Sequence, residues 1–92
     1  MRPIEYDVIV LREGADFVAY CPELDVSSCG RDVEHARTQL RTAVRLFLEE
    51  CEKLGTLDDV LLESGYEQVG DGTWRAPRIV ATEIVSHEPC PA

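Results

Sequence analysis

Three acidic side chains early in the chain, Asp7, Glu23 and Asp25, are the residues whose type could do chemistry. Carboxylates that converge from separate elements can hold paired divalent ions bridging a phosphate, as in metal-dependent nucleases. Such a cluster needs a further acid aimed inward from the main helix, and that helix offers none at a core-facing position. The plainer reading makes the three solvated acids of strand edges and turns, where charge also discourages edge-to-edge pairing. That reading is preferred. His87 and Cys90 stand at metal-ligand spacing, but in a tail with two prolines and no second pair of ligands. His35 falls on the exposed side of the first turn of the main helix. No Ser–His–Asp or Cys–His arrangement is supported, and no glycine-rich phosphate loop is present. The expectation is no catalytic residue, no bound cofactor and no metal.

The four cysteines, Cys21, Cys29, Cys51 and Cys90, form no CxxC pair. With no export signal to suggest an oxidising compartment, reduced thiols are expected, and Cys51 reads as core. Cys21 and Cys29 flank a strand connection, and spacing leaves open whether they bond.

The elements that would position these groups are organised around residues 32–54. Val33, Ala36, Leu40, Ala43, Val44, Phe47, Cys51 and Leu54 recur at steps of three and four. On a helix they fall within an arc of roughly 100°, the width of a face laid on a core. Asp32 is a good N-cap, and Gly55 follows as the stop. Ahead of this helix, residues 4–11 alternate as a strand, and residues 17–21 read as its hairpin partner, ended by Pro22. Residues 24–29 read as a third strand.

After the helix, Thr56-Leu57-Asp58-Asp59 resembles a capping box, opening a short helix over 57–63 with Leu57, Val60 and Leu61 inward. Asp71-Gly72 is a hairpin turn between strands at 66–69 and 73–76. A last strand is read at 79–85. The fold class is therefore α+β: a mostly antiparallel sheet of three N-terminal strands plus a C-terminal hairpin and strand. One long helix crosses one face, and one short helix follows it.

At 92 residues the chain has room for one domain, read as 1–86, with 87–92 as a frayed tail. A hydrophobic content of 45% excludes a disordered chain. The net charge of −9 argues against direct nucleic-acid binding, because phosphates repel it, and suits a basic partner. No apolar run approaches the ~20 residues of a membrane span. Met1-Arg2-Pro3 leads straight into a strand pattern with no signal-peptide core. A cytoplasmic protein is expected.

The opening strand, then Phe17-Val18-Ala19-Tyr20-Cys21-Pro22-Glu23-Leu24, a short strand ending at Gly30, and the helix carrying Ala36 and Leu40 resemble the HicB-like antitoxin family. The resemblance covers residues 4–54 and rests on pattern and order. It implies a degenerate RNase H-like unit that binds and neutralises HicA, a small basic toxin that cleaves messenger RNA. Two departures stand out. Asp25-Val26-Ser27-Ser28 follows Leu24 where the common motif has Pro-Gly-Cys, which resembles stand-alone members. Beyond Gly65 there is no room for a further pair of helices, so the DNA-binding module that many members carry is expected to be absent.

On this reading an acidic surface covers the basic toxin, and Tyr20, Glu23 and Asp25 are the first residues to examine for partner contact. Arg37, Arg41 and Arg45 line one edge of the long helix, bracketed by Glu34 and Glu49, and read as a solvated face. Leu46 lies about 110° from the centre of the apolar arc: either the short helix folds over it or it marks a subunit contact. Ile79, Val80, Ile84 and Val85 make the last strand apolar on both faces, which points to a homodimer or higher homo-oligomer built by strand exchange. Two alternatives are carried beside the antitoxin: an orphan self-associating regulator without a toxin partner, and an RNase H-like metal-dependent nuclease.

Overall fold

Helix α1 (Val33–Leu54) starts where the sequence places its cap. The Asp32 carboxylate accepts the His35 amide at 2.7 Å, and His35 Nδ1 accepts the Arg31 amide at 3.1 Å. Asp32 thus satisfies an amide that the first turn leaves without a partner, and His35 satisfies that of the residue before the cap. The computed structural model describes residues 1–90. Three strands precede α1: β1 (Ile9–Glu13), β2 (Asp16–Cys21) and β3 (Val26–Gly30), antiparallel in the order β1-β2-β3. Helix α2 (Leu57–Glu63) and a small antiparallel hairpin, β4 (Glu67–Gln68) and β5 (Trp74–Arg75), follow. The α+β architecture is the expected one.

Helix α1 lies on one face of the three-stranded sheet. Its Ala36, Leu40, Val44, Leu48 and Cys51 are buried, opposite Ala19 and Cys21 of β2. The approach is close at its start. A Cβ on Gly30 would stand 2.4 Å from the Ala36 nitrogen and 2.8 Å from the His35 carbonyl carbon, so only glycine fits there. Two residues assigned to the apolar face behave otherwise: Val33 is 42% exposed and Leu54 is 67% exposed. A 22-residue helix runs about 33 Å, whereas five- or six-residue strands run about 20 Å, so its ends overhang the sheet. Leu48, which the expected face omitted, takes a buried place one turn beyond Val44. The C-terminal half of α1 is instead covered by residues 4–6 and by α2, whose Leu61 is fully buried.

Helix α2 ends on Gly65 at φ +87°. The Gly65 amide donates to the Leu62 carbonyl, and the Tyr66 amide donates to the Leu61 carbonyl. This paired closure sets buried Tyr66 against buried Leu61. The expected capping box at its start does not form: Thr56 already closes α1 through its amide to the Cys51 carbonyl, and its hydroxyl turns to the same carbonyl.

The strands differ from their expected extents. The first was read over 4–11, but ladder pairing runs only over β1, because its partner β2 stops at Cys21 before Pro22. Residue 4 makes an isolated parallel bridge to Trp74. The third strand begins at Val26 rather than residue 24, since residues 22–25 form a four-residue turn. The strand expected over 79–85 is absent: with no partner strand beside it, this segment forms no ladder, and Ile79, Val80, Ile84 and Val85 are exposed. The tail expected over 87–92 lies outside every element as far as residue 90, and residues 91–92 fall outside the described residues. Leu46 is 54% exposed, so α2 does not cover it. All four cysteines are free, and the register puts Cys21 and Cys29 on opposite faces of the sheet. Among the described residues no helix is long and apolar enough to cross a membrane.

The glycine contact supplies a direct test. Gly30→Ala should lower the unfolding free energy by about 3 kcal/mol, as overpacking against backbone does, while Leu46→Ala should change it by less than ~0.5 kcal/mol. Urea unfolding of the two variants measures both, and an unaltered Gly30→Ala would mean that α1 sits farther from β3.

Candidate partner-binding face

Directly paired residues share a face of a sheet, and successive residues alternate. The register pairs Ile9 with Tyr20, Leu11 with Val18, Tyr20 with Ser27 and Val18 with Cys29. These side chains therefore form the face turned away from α1. It is apolar at its centre and open: Leu11 is 49% exposed, Ile9, Val18 and Tyr20 are half-buried, and Cys29 is exposed. Arg12 points to the helix-side edge, its guanidinium 5.3 Å from the centre of the Phe17 ring.

The turn between β2 and β3 sends its two acids to different places. Asp25 has φ +54°, the left-handed conformation that aspartate tolerates better than most residues and that ends a four-residue hairpin loop. From there its carboxylate accepts the Tyr20 hydroxyl at 3.0 Å, which holds the ring over the open face and raises the phenol's pKa. Asp25 itself is exposed.

Glu23 turns the other way. Its Oε1 accepts the Asp7 amide at 3.0 Å and lies 3.5 Å from the Cys21 sulfur. Burial raises its pKa above the ordinary 4.5, and the nearby Asp7 carboxyl raises it further. Burial likewise pushes the Cys21 thiol up to about 11, with Glu23 adding to the shift. At neutral pH that thiol is protonated and a poor nucleophile. Tyr66 closes the same junction. Its hydroxyl donates to the Glu5 carbonyl, and its pKa is held well above the usual phenol value by burial first, then by Glu23, Cys21 and Asp7.

Of the expected partner-contact residues, then, Tyr20 and Asp25 come together on the open face, and Glu23 does not join them. It belongs to an internal junction with Asp7, Cys21 and Tyr66. The three acids Asp7, Glu23 and Asp25 do not converge on a common point, and no group of three or more His, Cys, Asp or Glu side chains among the described residues is placed to hold a metal ion. The sequence reading missed Tyr66 and the apolar surround of Ile9, Leu11 and Val18. The Gly65-Tyr66 pair after a helix was the available signal for the first, and strand alternation for the second. On the long helix, Arg37 pairs with Glu34 at 2.9 Å and Arg45 with Glu49 at 3.4 Å, on exposed side chains, as a solvated face requires.

No family model, no curated protein and no solved structure matches this chain.

Two variants separate the acids. Asp25→Val should cost about 1–2 kcal/mol, because a β-branched residue resists the left-handed conformation, whereas Asp25→Gly should keep the fold while losing the bond to Tyr20; thermal unfolding of the pair checks this. For Glu23 the folded-state pKa lies above the unfolded one, so ionising it disfavours the folded state as pH rises through the carboxylate range. Glu23→Gln, which keeps an acceptor for the Asp7 amide, should be at least as stable as the parent at pH 7. Its advantage should shrink as pH falls to 4.5 and below, and a stability difference constant with pH would contradict the assignment.

Proposed function

We propose that this chain is a HicB-like antitoxin that binds and neutralises a small basic HicA-type toxin through protein–protein contact. The observation that carries the reading is the open sheet face, with Tyr20 held by Asp25 over an apolar patch of Ile9, Leu11 and Val18. An aromatic ring fixed at the centre of an apolar surface is the kind of residue that supplies most of an interface's affinity. The acids around it, and the chain's net charge of −9, favour a basic partner and speed its approach. Three strands followed by a covering helix are also the element order that the resemblance over residues 4–54 implies. Glu23, turned into the junction, is a supporting residue in this reading, and contact falls to Tyr20 and Asp25.

A self-associating regulator without a toxin partner is the second reading, favoured by the four exposed apolar side chains between residues 79 and 85. The experiment that separates the two mixes the purified chain with a small basic HicA-type ribonuclease and follows RNA cleavage. The antitoxin reading expects cleavage to stop near equimolar chain, with weaker protection at higher salt. Tyr20→Ala should weaken the complex by about 2 kcal/mol, roughly thirtyfold in Kd, and Glu23→Gln should leave it within a factor of about three. RNA cleaved at the full rate with the chain in excess rules the first reading out.

A further inference from the structure

Beyond Arg75 the chain leaves its own sheet and does not return. Residues 77–90 form no helix or strand, and within them Val80 is 92% exposed and Ile84 100% exposed. A compact chain of this length has a radius of gyration of about 12 Å. The observed value is 16.1 Å, with a longest dimension of 52 Å: Ile79 and Thr82 line a shallow pocket with Ile9, Pro22 and Glu23, and the arm extends from the body beyond them. Yet residues 79–85, Ile-Val-Ala-Thr-Glu-Ile-Val, are mostly β-branched and contain no proline, the composition of a strand.

Hydrogen bonding explains why the arm does not pair at home. Residue 4 bridges Trp74 in parallel: the Glu5 amide donates to the Trp74 carbonyl at 3.0 Å, and the Trp74 amide donates to the Pro3 carbonyl at 2.8 Å. The next rung of that ladder would join the Asp7 amide to the Ala76 carbonyl and the Ala76 amide to the Glu5 carbonyl. The single donor of that pair is already taken, and the acceptor already carries one bond. Glu23 accepts the Asp7 amide, and Tyr66 donates to the Glu5 carbonyl. Glu23 stands two residues past the end of β2, so the turn after β2 and the arm compete for one side of the N-terminal segment, and the turn holds it. A groove of about 550 Å³ separates residues 4–7 from residues 76–79, where the two part.

The opposite side of that segment is free. β1 is an edge of the three-stranded sheet, and with the residues before it presents an edge of roughly 30 Å. An arm segment of seven residues spans about 23 Å and fits on it. The arm pairs with no strand of its own chain as far as residue 90, and the same edge on another molecule is open to it. We propose that residues 79–85 add as an extra strand to the outer edge of β1 in a second copy of this chain, reciprocally, giving a strand-exchanged homodimer. Each subunit then covers the other's unpaired edge and buries its apolar arm side chains at once.

Light scattering on the full chain at tens of micromolar tests this. The expected mass is twice the 10.3 kDa of one chain. The double variant Ala81→Pro with Thr82→Pro removes an amide from both alternations of the added strand. It should be a folded monomer that lacks the circular dichroism of the added strand and melts at a lower temperature, independent of protein concentration. In the parent, amides of β1 that point away from β2 should exchange at least a hundredfold more slowly than in the double variant. A monomeric parent, a double variant that keeps the dimer mass, or β1 exchange rates equal in the two proteins would each overturn the proposal.

Discussion

The close seating of α1 on the three strands is the constraint from which the rest follows. Gly30 leaves no side chain between its backbone and that of His35 and Ala36 where β3 turns into the helix. A helix so near the sheet buries Leu40 and Val44 completely, and it can do so on one face only. The second face is left to solvent or to another molecule. The helix is also longer than the strands beneath it, so its far half needs a second cover. Residues 4–6, α2 and the small hairpin supply that cover, which brings Tyr66 and Trp74 into the core.

This division of labour makes residues 4–8 the link between two parts of one core, with Ile4, Tyr6 and Val8 packed against it. On one side of them stand the Trp74 hairpin and the end of β2, placed end to end, with Glu23 and Tyr66 filling the junction. Those two side chains satisfy backbone groups that would otherwise be orphaned near the core, which explains an acid and a phenol in a partly buried place. Their raised pKa values are a by-product of that placement. A thiol protonated at neutral pH, a phenol far from ionising and a carboxylate engaged by a backbone amide together make a structural joint. The proposed partner contact sits elsewhere, on Tyr20 and Asp25.

The helices were legible in the sequence and the strands only in part, for a physical reason. A helix closes its hydrogen bonds within itself, so Asp32, Gly55 and Gly65 mark its ends wherever the rest of the chain goes. A strand extends only as far as its partner. Pro22 ends β2, and through the pairing it also ends β1 at Ile9, although residues 4–8 alternate just as well. Residues 79–85 carry every local mark of a strand and have no neighbour to complete one. The candidate site followed the same rule. Spacing grouped Tyr20, Glu23 and Asp25, but a left-handed residue at the end of the turn sends Asp25 to one face while Glu23 goes to a backbone amide 16 residues away. The part played by Tyr66, 61 residues from the carbonyl it binds, has no local signature at all.

The junction of Glu23 and Tyr66 works as a terminator for sheet growth. Were shorter side chains to stand at those two positions, the Asp7 amide and Glu5 carbonyl would be free, and the parallel ladder begun at Trp74 could run on. Glu23 and Tyr66 thus bear on how far the parallel ladder runs along the N-terminal segment.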